Sequence, residues 1–284
     1  MAESLESYKS YIGKSATATD VVTASVMLKL AATLGIEKAP LDKGEAVPPG
    51  WHNAFFPPSH RPAQMREDGQ ASGGGLAPPI PLPRRRIGGT RMTFHESLRV
   101  GDEIKKVTEI ADIQVDDGPE GAMVTIIEKS SISTSRGLAV VEQRDMVLLS
   151  EARAAAAPKD SPTVPAEAKW QRVFEPKAPL LFRYSAIRFN SHRIHYDRAY
   201  CTKVEKLPGL VVQTSLICQL FIEMCRSEVR SHQLSYFGFK TARQTYDTGN
   251  FTIAGTPSAD GREATLWSLD PNGNVAMTAT ARFK

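Results

Sequence analysis

The chain is short of several things, and each shortage removes a class of answer. Only three cysteines occur in 284 residues, Cys201, Cys218 and Cys225, with no CxxC pair among them. That excludes a disulfide framework and points to reduced, buried thiols in an intracellular protein. No apolar run reaches the roughly 18 residues that span a bilayer, so no membrane partner is expected. The opening stretch MAESLESYKSYIGKSATATD carries acidic groups and lacks an apolar centre. It is neither a signal nor a typical transit peptide, and the cytoplasm is the expected compartment. A strong excess of either charge is also missing. The net charge of +4 with 23% charged residues falls short of a nucleic-acid-binding signature, yet it suits an acidic small ligand such as a phosphate or carboxylate.

What is present is length for two domains of roughly 140 residues each, with ordinary globular cores. In DVVTASVMLKLAATLGI the residues Val22, Val26, Leu30 and Leu34, with Met27 alongside, predict a helix that Thr19 or Asp20 caps. A Pro- and Gly-rich connection follows over 37–90, as either a functional covering or a disordered link. Strands are predicted at EIKKVTEIADIQV, AMVTIIEKSSISTS and LAVVEQRDMVLLS, separated by the turns DDGPEG and SRG as in an antiparallel meander. The Ala- and Pro-rich residues 152–168 are the expected linker. The second half begins with a predicted strand, LLFRYSAIRFN. It continues into LVVQTSLICQLFIEMCRSEVR, a helix apolar on nearly every side and therefore buried. Strands follow at LSYFGFKTARQTY, NFTIAGTPS, EATLWSL and VAMTATARF, the last two joined by DPNGN. Each half is thus a helix followed by a meander. The expected fold is α+β, a double hot dog with each half a long central helix wrapped by an antiparallel sheet. Its boundaries are 1–151 and 169–284. Parallel α/β folds are excluded, because helices and strands do not alternate.

The stretch RYSAIRFNSHRIHYD places His192 and His195, two of six histidines, beside Asn190 and Asp197, directly before the buried helix. RFNSHRIHYD followed by LPGLVVQ resembles the hydratase motif of MaoC-like hot-dog enzymes. More specifically, SAIRFNSHRIHYD resembles the corresponding segment of hydroxyacyl-thioester dehydratase type 2 and of mesaconyl-CoA (3-methylfumaryl-CoA) and itaconyl-CoA hydratases. PPGWHNAFF, LRVGDEIKKVTEIADIQV and LAVVEQRDMVLLSE extend the resemblance over most of both halves. The general motif sets its catalytic Asp against Asn190, its Asn against His192 and its His against His195. An amide cannot exchange a proton, so the usual Asp/His pair does not carry over intact. Thr214, after Gln213, stands where relatives usually have Gly.

The resemblance implies reversible addition of water to an α,β-unsaturated acyl-CoA. Such chemistry needs a base for the water and donors for the enolate oxygen. His195 is the expected base, since an imidazole pKa of about 6.5 lies near working pH. Asn190 positions the water through its amide oxygen. His192 either orients His195 or meets the substrate, and Asp197 fixes the tautomer of one of the rings. Gln213 and Thr214 form the expected thioester-binding turn, with the Thr214 N–H at the positive end of the helix as oxyanion donor. Tyr184, Arg188 and Arg193 are candidates for substrate or CoA, the arginines for CoA phosphates or a free carboxylate; solvated surface residues are the alternative. Trp51 and Phe55 serve either as an acyl pocket or as cover for the first sheet. The HxxH of His192 and His195 lacks further ligands at diagnostic spacing, so no metal is expected. No cofactor is expected beyond the CoA thioester that is substrate. The first half, lacking a comparable His segment, is expected to shape the acyl pocket without catalysing, and a homodimer is implied by the resemblance. The expected substrate is a short branched dicarboxylyl-CoA going to citramalyl-CoA. Dehydration of a 3-hydroxyacyl carrier protein is the alternative reaction, and a non-catalytic acyl-CoA binding module the alternative class.

Overall fold

The computed structural model describes residues 4–72, 75–155 and 167–284. The first half runs β1 (Ser15–Val21), α1 (Ala24–Leu34), β2 (Arg84–Phe94), β3 (Glu103–Gly118), β4 (Gly121–Thr134), β5 (Gly137–Leu149) and α2 (Glu151–Ala155). The second runs β6 (Trp170–Phe174), α3 (Ala178–Ile187), α4 (Arg198–Lys203), α5 (Thr214–Glu228), β7 (Leu234–Thr241), β8 (Phe251–Pro257), β9 (Glu263–Leu269) and β10 (Val275–Phe283). All ten strands form one antiparallel sheet in the order β1-β3-β4-β5-β2-β7-β10-β9-β8-β6. Each strand of one half has its counterpart at the mirrored place in the other, so the halves are two copies of one plan joined where β2 pairs with β7. The architecture is an α+β double hot dog. Of the expected linker, residues 156–166 lie outside the described residues. No helix among the described residues is long and apolar enough to cross a membrane.

Three strands and three helices differ from the sequence expectations, α4 and α2, the latter at the start of the expected linker, being two of the helices. β1 is an edge strand whose residues are nearly all exposed; with no buried face it shows no alternation. β2 lies at the end of the Pro- and Gly-rich connection and carries Gly88 and Gly89. A Cβ at Gly89 would come within 2.6 Å of the Phe239 carbonyl on β7, so the seam between the halves admits no side chain there. β6 was hidden at the edge of the expected linker. LLFRYSAIRFN is mostly α3 and not a strand: Leu181, Tyr184 and Ser185 are buried at helical spacing, and Pro179 stands in the first turn.

The helices position the site. α5 is buried from Leu216 to Cys225 on all but one side and lies in the curve of β7 and β8. By chain order α1 corresponds to α3, each following the first strand of its half, and the two pack against each other. The counterpart of α5 in the first half is a single 3-10 turn, Trp51–Ala54. Its Trp51 is fully buried, and the indole Nε1 donates to Glu223 Oε1 of α5 at 2.7 Å. With no long helix over it, the concave face of the first half is open. The inward positions of its strands are accordingly polar: Lys106 and Thr108 on β3, Glu128 and Ser130 on β4, Glu142 and Arg144 on β5 all face a cavity.

Candidate active site

That cavity has a volume of about 1120 Å³ and is walled by both halves. It is large enough for an acyl chain with part of a carrier arm. The second half contributes α3, the loop after it and the start of α5. The first contributes its concave strands and the connection around residues 52–71.

His195 ends the 3-10 turn Arg193–His195 and is buried. Its Nδ1 lies 2.8 Å from the Val211 carbonyl oxygen. A carbonyl only accepts, so Nδ1 carries the hydrogen and the neutral ring keeps its lone pair on Nε2. Burial pulls the His195 pKa below its ordinary 6.5, partly countered by the Val211 bond. The ring is therefore neutral at physiological pH, as a base must be.

His192 stands edge-on to His195, with ring centroids 5.6 Å apart. Gln70, from the connection of the first half, reaches it with Nε2 at 3.0 Å from the His192 Nε2. Burial, and next the neighbouring His195, push the His192 pKa down to about 4. Asn190 lines the cavity, and its Oδ1 accepts the His192 main-chain N–H at 3.1 Å. One lone pair of that oxygen holds the loop in shape, and the other is left.

The uncharged His192 and His195 make the fold acid-sensitive in a defined window. Their folded pKa values lie below the ordinary 6.5. Below pH 6.5 the unfolded chain therefore binds protons that the folded chain refuses, and stability drains as pH falls toward about 4. The melting temperature is expected to fall across that window, above the range where most carboxylates titrate, and less steeply in His192→Gln. An equal slope in the variant would remove His192 from the account.

At the start of α5, Gln213 occupies the N-cap without capping. Its Nε2 donates instead to the Leu181 carbonyl and to Ser185 Oγ, both at 2.8 Å, tying α5 to α3. The amide donors of Gln213 are thus spent on the scaffold. The first two N–H groups of the helix, those of Thr214 and Ser215, precede the first intrahelical bonds, which run from Leu216 and Ile217 to the Gln213 carbonyl, and both residues line the cavity. Tyr184 is buried at the same wall, where burial raises its pKa, and its hydroxyl interacts with Ser215 and Arg188.

Several expected site residues are placed elsewhere. Asp197 caps α4, accepting the Tyr200 N–H at 3.0 Å, and binds Arg193 Nη2 at 2.8 Å. It meets neither imidazole; the tautomer of His195 is set by Val211. Arg193 is engaged by Asp197 and stacks on Tyr200, with its guanidinium 4.0 Å from the ring centroid, away from the cavity. Trp51 is core, whereas Phe55 and His52 line the cavity. Arg188 lines it too.

Other residues of the wall went unforeseen. Glu142 is buried between Arg144, 2.6 Å away, and His52, 3.5 Å away. Despite its burial, the charge of Arg144, with His52 close by, holds its carboxyl far below the usual range. Strand alternation from Ile104 and Ile110 was the available signal for Lys106, since it puts that lysine on the inner face. The Val211 carbonyl and Gln70 gave no signal, one being main chain and the other lying in a Gly- and Ser-rich run.

The chain is similar to known proteins over most of its length. The description of the family hydroxyacyl-thioester dehydratase type 2 matches residues 50–247. A mesaconyl-C(4)-CoA hydratase of Chloroflexus aurantiacus is 31% identical over 276 residues, covering 97% of this chain and 98% of that protein. The mitochondrial hydroxyacyl-thioester dehydratase type 2 of Schizosaccharomyces pombe is 33% identical over 96 residues, 34% of this chain and 29% of that protein. Among solved structures, a MaoC-like dehydratase of Phytophthora capsici superposes with a TM-score of 0.69 at 9% identity, over 97% of each chain. A Mycobacterium tuberculosis protein with a double hotdog fold does so with 0.58 at 12%, over 96% of each.

Proposed function

Because the chain belongs to the hydroxyacyl-thioester dehydratase type 2 family, we propose that this acyl-CoA hydro-lyase uses His195 to hydrate a short branched dicarboxylyl-CoA. Mesaconyl-CoA or itaconyl-CoA would yield citramalyl-CoA. The observation that carries the role of His195 is its geometry. Nδ1 is held by the Val211 carbonyl, which leaves Nε2 as a base at the cavity that the first turn of α5 also lines.

In the proposed step Nε2 takes a proton from water as the water oxygen bonds to the β-carbon. The free lone pair of the Asn190 amide oxygen holds that water. In mesaconyl-C(4)-CoA, whose double bond is conjugated with the thioester, the π electrons move onto the thioester oxygen. There the Thr214 N–H and the positive end of α5 meet the developing charge. Itaconyl-CoA, with its double bond one carbon further on, would have to be isomerised to that form before this step. As the enolate collapses, the proton on His195 passes to the α-carbon, and the neutral ring is restored. Dehydration is the same path reversed. The thioester supplies its own activation, so the step calls for no cofactor. His192 borders the reacting water as a second uncharged ring, and the first half shapes the acyl end of the cavity.

Two features support a dicarboxylyl substrate: the relative of 31% identity is a mesaconyl-C(4)-CoA hydratase, and the cavity is cationic. Among the described residues its lining holds six Lys and Arg side chains against two carboxylates, Glu128 and Glu142. Three free, buried thiols fit a cytoplasmic enzyme, and we expect a homodimer, which sedimentation checks. The direct test is incubation with mesaconyl-C(4)-CoA, itaconyl-CoA and crotonyl-CoA, following loss of the conjugated thioester for the first and third and formation of the hydroxyacyl product for itaconyl-CoA. Faster turnover of a dicarboxylyl-CoA is expected. Preference for a long 3-hydroxyacyl thioester would favour the carrier-protein alternative, and no turnover of any of these would sink the reading.

A further inference from the structure

Two cavity cations that are not exposed, from opposite halves, have no carboxylate partner within ion-pair distance among the described residues. Arg188 lies just past α3, and its Nη1 is buried with no hydrogen-bond partner. Lys106 projects from β3, with its ammonium 4.6 Å from the centroid of the Phe56 ring. An orphaned, buried cationic donor is costly in a folded protein unless something arrives to satisfy it. The remaining cavity cations are differently placed. Arg144 is bound to Glu142, Arg85 and Arg86 are exposed at the start of β2, and Arg243 has contacts of its own.

Position separates Arg188 from the exposed pair. In both proposed acyl groups the second carboxylate sits on the β-carbon, the atom that water attacks. Its receptor must therefore lie beside the start of α5 and not at an exposed edge of the cavity. Arg188 meets this requirement through Tyr184, whose hydroxyl interacts with both Arg188 and Ser215, the residue after Thr214. Lys106 meets it from across the cavity. Burial lowers its pKa, and the nearby Arg144 and Arg188 lower it further against the opposing pull of Glu142 and Glu128, which places Lys106 and Arg188 within electrostatic reach of each other.

We infer that Arg188, backed by Lys106 from the other half, receives the second carboxylate of the acyl chain and sets the preference for dicarboxylyl over monocarboxylyl thioesters. This assignment rests on the hydration reading above. Arginine suits the task because its planar donors match a carboxylate, and one of them is waiting. It also explains why the first half keeps a polar concave face: that face carries the second cation.

The experiment compares kcat/KM for mesaconyl-C(4)-CoA and crotonyl-CoA in the wild type, Arg188→Gln and Lys106→Met. The ratio of the two is expected to fall by about 100-fold in Arg188→Gln and about 10-fold in Lys106→Met, the sizes of a lost charged hydrogen bond and a weaker second contact. A saturated pair gives a readout free of chemistry. Succinyl-CoA, whose carboxylate also sits on the β-carbon, should inhibit the wild type more strongly than butyryl-CoA, and Arg188→Gln should lose that preference. An unchanged ratio, or an equal fall on both substrates, overturns the assignment. Should Arg188→Gln fail to fold, the wild-type inhibition decides, and absence of a succinyl-CoA preference overturns it. If the wild type hydrates crotonyl-CoA but no dicarboxylyl-CoA, the substrate reading itself has failed, and this is seen before any variant is made.

Discussion

His195→Ala is expected to lower kcat for hydration by about 10² to 10⁴, the range a positioned general base supplies. The loss should fall on kcat far more than on KM, because the ring meets the attacking water and not the CoA. His195→Gln is the sharper variant. Its amide can still donate toward the Val211 carbonyl, which His195 Nδ1 reaches at 2.8 Å, but it has no group that accepts and returns a proton near neutrality. Both variants should therefore be slow, and the glutamine should melt closer to the wild type. Near-normal turnover in either would refute the role. The pH profile gives an independent check. The base works only when neutral, and burial holds its pKa below 6.5. The acidic limb of kcat/KM should then lie below pH 6.5, with the rate flat from there through neutrality. A limb above 6.5 would point to a different base.

Gly69→Ala should be nearly as damaging, although the residue has no side chain and lies in the other half. Gly69 has φ +83°, and a Cβ there would stand 1.9 Å from the Ser191 carbonyl oxygen. Both facts oppose a methyl group: the left-handed backbone costs a non-glycine residue about 1–2 kcal/mol, and the contact is far inside van der Waals distance. Relief requires the histidine-bearing loop or the connection to shift by more than an ångström. At this point the two are stitched together. Ser191 Oγ donates to the Gly69 carbonyl at 2.7 Å, the Arg193 N–H to the Asp68 carbonyl at 2.9 Å, and Gln70 meets His192. The loop carrying Asn190, His192 and His195 thus takes part of its shape from a segment more than a hundred residues upstream. A displacement of that size can cost about 10² in rate. We expect such a fall in kcat/KM, with the circular dichroism spectrum retained and melting lowered by a few degrees. Wild-type activity in Gly69→Ala would show that the docked connection does not set the loop.

The sheet and the second long helix were legible because they bury one face at a regular period. β3, β4 and β5 alternate, α5 is apolar nearly all round, and the Asn-Gly of DPNGN marks the turn between β9 and β10. β1 was not legible, since an exposed edge strand has no face to bury. α3 reads as a strand in sequence because its three buried residues fall in a short, polar stretch where the two periods are hard to separate. The duplicated plan was readable, but not that the first half reduces its central helix to the turn at Trp51–Ala54. At the site, the loop with two histidines stood out by composition and resemblance. Composition did not separate His195, facing the cavity, from Asp197 and Arg193, which bind each other a few residues away. All three are polar residues of one short segment, and only a partner distinguishes scaffold from site.

By itself the sequence determined the order of elements, the repeat of one plan, the family and the segment that bears the imidazoles. Such properties are written in periodicity and in local residue choice. The tertiary structure decided which imidazole nitrogen is left as a base, because a main-chain carbonyl chose it. It also decided that a cavity lies where a helix is missing, and that Arg188 Nη1 is buried at that cavity with no hydrogen-bond partner among the described residues. Hydrogen bonds and charge pairing depend on distance and on exclusion of water, and neither exists until strands far apart in the chain are brought together.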